Sequence, residues 1–175
     1  EVKLQKEFDE IEYIFNKNNK DAELILNIAL SELDLKKQEF LESFFPASNT
    51  ELVLNDHQIE IIYNKNDVLI KGLGKIKLEK EFDKISYHIS KIGNEFKFNS
   101  KLDLDKTLFK IDYLNFKKDK ELTTQLEVVG SYKKDKETNL KKISIHNQNS
   151  QIKLSNLLLD ADNKILKIDE INFNY

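Results

Sequence analysis

The amino-acid sequence predicts a mainly β protein, an elongated and curved antiparallel sheet of repeated hairpins with one short amphipathic helix. Three observations lead there. Through most of the chain apolar and polar residues alternate at a spacing of two, the period that places side chains on one face of a strand. Short runs rich in Asn and Asp separate these stretches, as hairpin turns require. Finally, the phrase Lys3-Leu4-Gln5-Lys6-Glu7-Phe8-Asp9-Glu10-Ile11-Glu12-Tyr13 returns 74 residues later as Lys77-Leu78-Glu79-Lys80-Glu81-Phe82-Asp83-Lys84-Ile85-Ser86-Tyr87. A long internal period of this kind marks a repeat architecture.

Each copy of the phrase is followed by an alternating run: Leu24, Leu26, Ile28 and Leu30 after the first, Phe96, Phe98, Leu102 and Leu104 after the second. Next to the first copy, Ile59 to Tyr63 and Val68 to Ile70 alternate around the turn Asn64-Lys65-Asn66-Asp67, and Gly74 to Leu78 follows. In the second unit Lys110 to Tyr113 and Leu122 to Val128 fit the strand template, with Leu126 and Val128 in phase. Ile143 and Ile145 face Ile152 and Leu154 across the polar turn His146 to Ser150, and the pattern continues through Leu157, Leu159, Ile165, Ile168, Ile171 and Phe173. These periods divide the chain into a first unit over 1–76 and a second over 77–167. A possible third unit starts at 168–175, where Ile168-Asp169-Glu170-Ile171-Asn172-Phe173 echoes Phe8-Asp9-Glu10-Ile11-Glu12-Tyr13.

One segment departs from the two-residue period. Phe40, Leu41, Phe44 and Phe45 fall at helical spacing within 36–45, and Pro46 ends the run. The spacing predicts a helix of about two to three turns, inserted in the first unit. Two roles are open to it: a plug over the end or one face of the sheet, or a docking helix for a membrane surface or a partner.

Composition excludes several classes of function. Charged residues make up 34% of the chain but nearly cancel, to −3, so no strongly basic surface for nucleic acid is indicated. Every basic residue is lysine, so the planar fork of arginine that grips phosphates and guanine edges is absent. The Lys, Asn and Ile content resembles AT-rich coding bias. No cysteine is present, which removes disulfides, thiolate metal sites and cysteine nucleophiles. No stretch approaches the roughly 18 apolar residues of a membrane-spanning helix. The absence of methionine, even at position 1, and the start and finish inside repeat phrases lead to the expectation of a segment cut from a longer polypeptide.

No catalytic or metal-binding constellation emerges, and neither an enzyme nor a cofactor is expected. His57, His88 and His146 stand far apart, each isolated among strand or turn residues. Asp160-Ala161-Asp162-Asn163 lacks the glycine and terminal glutamate of a calcium loop and reads as a hairpin turn. Gly72-Leu73-Gly74-Lys75 lacks the spacing and the following helix of a phosphate loop; its glycines read as a bulge or bend where the sheet curves. Asp103 and Asp105 share a face but lie among lysines, as on a solvated outer surface. What remains is distributed: an apolar strand face with no directional chemistry, a surface suited to acyl chains.

The repeated Glu-Phe-Asp-x-Ile-x-Tyr phrase, the segment Leu52-Val53-Leu54-Asn55-Asp56-His57-x-Ile59 after Phe44-Phe45-Pro46, and the closing patterns Asn156-Leu157-Leu158-Leu159-Asp160 and Lys164-Ile165-Leu166-Lys167-Ile168-Asp169 resemble the AsmA-like family of Gram-negative bacteria, whose large members include relatives of TamB and YhdP. The resemblance covers essentially the whole chain, through strand patterns without a catalytic signature. It implies a U-shaped, taco-like β-groove with an apolar lumen. It also implies a periplasmic protein, anchored to the inner membrane by a segment N-terminal to this chain, that conducts phospholipid toward the outer membrane. The groove-lining candidates are Leu24, Leu26, Ile28, Leu30, Ile59, Ile61, Phe96, Phe98, Leu102, Leu104, Leu126, Val128, Ile143, Ile145, Ile152 and Leu154. Phospholipid or another acyl lipid is the expected partner. Two other architectures use the same alternation: a closed, lipocalin-like carrier of one small apolar ligand, and a structural scaffold in which two sheets cover each other.

Overall fold

Alternating strands joined by tight turns build a single open, curved antiparallel sheet. The computed structural model describes residues 9–17, 22–36, 42, 44–49, 51–65, 67–112, 115–118, 122–133, 136–162 and 164–174. The strands are β1 (Glu10–Lys17), β2 (Ala22–Lys36), β3 (Glu51–Asn64), β4 (Asp67–Lys77), β5 (Phe82–Ile92), β6 (Glu95–Leu104), β7 (Phe109–Ile111), β8 (Phe116–Lys118), β9 (Thr124–Lys133), β10 (Glu137–His146), β11 (Gln151–Asp160), β12 (Ile165–Lys167) and β13 (Glu170–Asn174). The main sheet runs β1-β2-β3-β4-β5-β6-β9-β10-β11-β12, with β13 also paired to β11, and it does not close into a barrel. β7 and β8 form a separate hairpin inserted between β6 and β9.

The repeated phrase is repeated structure. In β1–β2, Ile11 pairs with Ile28 and Tyr13 with Leu26; in β5–β6, Ile85 pairs with Leu102 and Tyr87 with Ser100, so every partner moves by the same 74 residues. The aspartate of the phrase fixes that register. Asp9 is buried and accepts the backbone N–H (2.7 Å) and the hydroxyl (2.8 Å) of Ser31. Asp83, also buried, accepts the N–H groups of Asp105 (2.7 Å) and Lys106 (2.9 Å) and the hydroxyl of Thr107. Ser31 and Asp105 are themselves 74 positions apart. Such charge-assisted bonds are strong, and they satisfy donors that would otherwise be stranded where a strand ends.

The two margins of the sheet differ. Along one, short turns join the strands; Gly93 there has a φ of 58°, which the two-residue turn between β5 and β6 needs and which glycine adopts without strain. Along the other margin a cap folds over the apolar face. Phe45, Phe109, Ile111 and Phe116 from the cap pack with Leu52, Leu54, Ile76, Leu78, Leu104, Ile145 and Ile152 in one buried cluster. The ring of Phe109 lies 5.3 Å from Phe45 and 6.3 Å from Phe116. Polar anchors knit the cap to the sheet: the Lys110 N–H donates to the Phe44 carbonyl (3.0 Å), the Asn49 N–H to the Leu78 carbonyl (2.8 Å) and the Leu108 N–H to the Glu79 carboxylate (2.9 Å). The fully buried Lys118 ammonium donates to the Thr107 carbonyl (2.8 Å).

Most of the helix expected over 36–45 lies outside the described residues. Within them, Lys36 ends β2 and Glu42 sits in a 3₁₀ turn. Phe44 and Phe45 then enter the cap, so this pair acts as the plug rather than as an exposed docking surface. The sheet also runs without interruption across the junction between the first two units, because β4 pairs with β5 from Lys77↔Phe82 to Asp67↔Ile92.

Two predictions follow from these anchors and edges. Replacing Asp83 by Ala strands three donors beneath the cap and is expected to cost about 3 kcal/mol in urea unfolding. A loss under roughly 1 kcal/mol would mean that the carboxylate is not the anchor. The outermost strands carry exposed apolar side chains, Tyr13 (73%), Ile14 and Phe15 on β1 and Ile171 and Phe173 on β13, and unpaired edges invite further strands. Sedimentation velocity should therefore show concentration-dependent oligomers that Ile14→Lys suppresses; a monomer at every concentration would count against an active edge.

Candidate functional site

Between the cap and the turn margin, the apolar face is organised in rungs that cross the sheet. The middle rung runs Tyr13, Leu26, Ile61, Ile70, Ile89, Phe98, Gly130, Leu140 and Leu157. The rung nearer the cap runs Ile11, Ile28, Ile59, Gly72, Tyr87, Ser100, Val128, Ile143, Leu154 and Ile171. Most of these side chains are only half-buried, and among the described residues no second sheet covers them. The surface is a trough walled by aliphatic and aromatic side chains.

Glycines create space that rings from the flanking strands fill. A Cβ at Gly72 would lie 2.1 Å from the ring of Tyr87, and one at Gly74 would lie 2.3 Å from the imidazole of His57. Tyr87 on β5 and His57 on β3 thus lean over β4 from opposite sides, with ring centroids 6.0 Å apart. At Gly130 the ring of Phe98 takes the equivalent position, 2.8 Å from where a Cβ would stand. The bulge or bend expected at Gly72–Gly74 is found on one side: β4 keeps unbroken register with β5 through both glycines, while its ladder with β3 is irregular at Gly74, the extra residue lying on β3 between Asn55 and Gln58. Asp56 there has a φ of 49°, and the inward set steps from Leu54 to His57. The glycines also allow the close approach of both rings.

The expected lining residues fall into three groups. Leu24, Leu26, Ile59, Ile61, Phe96, Phe98, Val128, Ile143 and Leu154 are half-buried on the trough wall. Ile28 and Leu30 face the same way but are buried. Leu104, Ile145 and Ile152 belong to the sealed cluster and floor the cap, while Leu102 and Leu126 are half-buried and pack against that cluster. Sequence reasoning left out Ile70, Ile89, Leu140 and Leu157. The first two alternate with their strand neighbours and carried the signal. Leu140 and Leu157 pair opposite each other, displaced from the two-residue period by one irregularity at Lys141 and by Asn156, whose φ is 51°.

Among the described residues the histidines and the aspartates singled out in the sequence stand apart from one another. His57 is 1% exposed; its Nδ1 lies 3.3 Å from the Asn55 carbonyl and its Nε2 has no partner. Burial holds the imidazole below its ordinary pKa, an effect the Asn55 carbonyl only partly offsets, and burial pushes the Tyr87 phenol up. His88 and His146 are exposed, and Asp103 accepts from the Gln125 amide at 3.0 Å. Asp160 accepts the N–H groups of Asp162 and Lys164, which makes its loop an Asx-type turn. Among the described residues no three His, Asp or Glu side chains converge on a point. The other face of β1–β4 holds a depression of about 510 Å³ lined in part by Glu10, Glu12, Glu60 and Lys71, and there Glu60 and Lys71 neutralise each other at 2.6 Å.

His57 gives the fold a pH dependence of definite sign. Its folded-state pKa lies below the unfolded value of 6.5, so its contribution is full above that value and is lost as pH falls from there through the lower folded pKa. Urea midpoints should decline over that interval, and His57→Phe, which keeps a ring over Gly74, should flatten the decline; an unchanged slope in the variant would assign the effect elsewhere. No protein-family model, curated protein or solved structure matches the chain.

Proposed function

We propose that this chain is a segment of a non-enzymatic, bridge-like lipid-transfer protein, in which acyl chains lie against the half-exposed apolar trough and move along it from strand to strand. One observation carries the reading: two successive rungs made mostly of apolar side chains cross an open sheet with no second layer over them among the described residues. Contact with an acyl chain removes that surface from water at roughly 25 cal/mol per Å², so a few hundred Å² favour binding by several kcal/mol before association costs. The resemblance to AsmA-like proteins supports the same reading, and with it a periplasmic setting and phospholipid as cargo. A lipocalin-like carrier would need a closed barrel, and this sheet is open. A mutually covered scaffold would need a facing sheet, whereas the only other sheet among the described residues is the β7–β8 hairpin of the cap.

Phe98 offers the direct test. It lies on the middle rung, half-buried, with its ring over Gly130. A wall open to water can hydrate a new charge where a sealed core cannot. Phe98→Asp should therefore leave the circular dichroism spectrum intact and reduce uptake of a fluorescent phospholipid several-fold, while Lys97→Glu on the opposite face changes neither. Outright unfolding of Phe98→Asp, or mass spectra of gently extracted protein that repeatedly lack lipid, would overturn the proposal.

A further inference from the structure

The rung along the turn margin differs chemically from the two deeper ones. It includes Tyr63, Val68, Lys91, Phe96, Tyr132 and Thr138 in cross-strand register. Lys91 is the one charged side chain among the described residues on these three rungs. It points inward between Val68 and Phe96, is half-buried, and holds its ammonium 5.6 Å from the centre of the Phe96 ring. Phe96 in turn lies 6.3 Å from Tyr132. The neighbouring carboxylates of Asp67 and Glu95 are paired in register with Ile92, one residue on, and so fall on the opposite face. No carboxylate among the described residues forms an ion pair with Lys91. Tyr63 and Tyr132, 47% and 40% exposed, put phenols on the same rung.

From margin to cap the trough thus passes from a rung that carries a cation to uncharged wall, aliphatic and aromatic but for Ser100 and the glycines, and then to a sealed end. That gradient matches an amphiphile with an anionic head and an apolar tail. We propose that Lys91 is the head-group anchor of the trough: it pairs with the phosphate or carboxylate of an acyl amphiphile whose tail lies toward the cap across Ile89 and Phe98. The assignment rests on the lipid-groove reading and sharpens it to anionic amphiphiles. A half-desolvated ammonium gains more from an anion than an exposed one does, because water screens it less. The aromatic ring beneath it holds the cation in place without neutralising it.

Competition with a fluorescent acyl probe on the purified 175-residue chain tests the anchor, using palmitate, lysophosphatidate, hexadecanol and inorganic phosphate as competitors. Either anionic amphiphile should compete about tenfold more strongly than hexadecanol, in keeping with a hydrogen bond to a charged group. Whichever of the two competes better identifies carboxylate or phosphate as the preferred head. Lys91→Gln should abolish the preference without changing hexadecanol binding or the thermal midpoint, and Lys91→Arg should keep it. Equal competition by palmitate, lysophosphatidate and hexadecanol, or a preference that survives Lys91→Gln, overturns the anchor and leaves the groove standing. Competition by inorganic phosphate at the same concentrations would also overturn it, since the acyl chain would then be irrelevant. If no amphiphile competes and the probe itself does not bind, both the groove and the anchor fall.

Discussion

A carboxylate buried at the margin of the sheet is the constraint around which the rest is arranged. An open sheet with one apolar face must cover part of that face with its own connections, and connections bring backbone donors that need acceptors once they leave water. Asp83 supplies them: it takes two N–H groups and a hydroxyl from the segment leading into β7. The hairpin it anchors brings in Phe109, Ile111 and Phe116, which seal the ends of strands as far apart in the order as β3 and β11. The same residue type at the same place in the first unit, Asp9, accepts the N–H and the hydroxyl of Ser31 on β2. Two copies of one device thus anchor different segments, Ser31 on β2 in one unit and residues 105–107 in the other.

The trough takes its form from where side chains are missing as much as from where they are large. Gly72, Gly74 and Gly130 open gaps in the wall, and Tyr87, His57 and Phe98 lie across those gaps from adjacent strands. Rings that span glycines in this way tie neighbouring strands together on the face where no second layer can do so. Irregularities at Asp56 and Lys141 shift a ladder against the next strand without breaking the sheet, and with the left-handed Asn156 they reset which residues face inward.

Strand content, the antiparallel hairpin order and the long repeat were legible in the sequence because each rests on a local signal: two-residue alternation, Asn- and Asp-rich turns, and a phrase written twice. The irregularities were not, since a left-handed Asp56 or Asn156 differs from a regular strand residue only in backbone angle. The cap was partly legible. Phe44-Phe45-Pro46 announced a plug, whereas the β7–β8 hairpin depends on Lys118, a residue whose burial no composition rule anticipates. For the trough, periodicity identified which residues share a face; it gave no means of telling Phe98, on the open wall, from Leu104, under the cap, because the two positions have the same phase on one strand. Lys91 went unnoticed because in sequence it is one lysine among many, although the period of Ile85, Tyr87 and Ile89 runs on to it.

All the long connections of the main sheet, 37–50 between β2 and β3 and 105–123 between β6 and β9, leave from the capped margin, while tight turns close the other. The two margins are therefore open to change in different ways. At the turn margin an added residue would slip the register of a ladder and carry a whole strand's side chains from one face to the other. At the capped margin a segment can lengthen, shorten or be replaced while the rungs stay where they are. Evolution has accordingly one side on which length can vary freely, and the differences in length between one unit of such a sheet and the next should be found there.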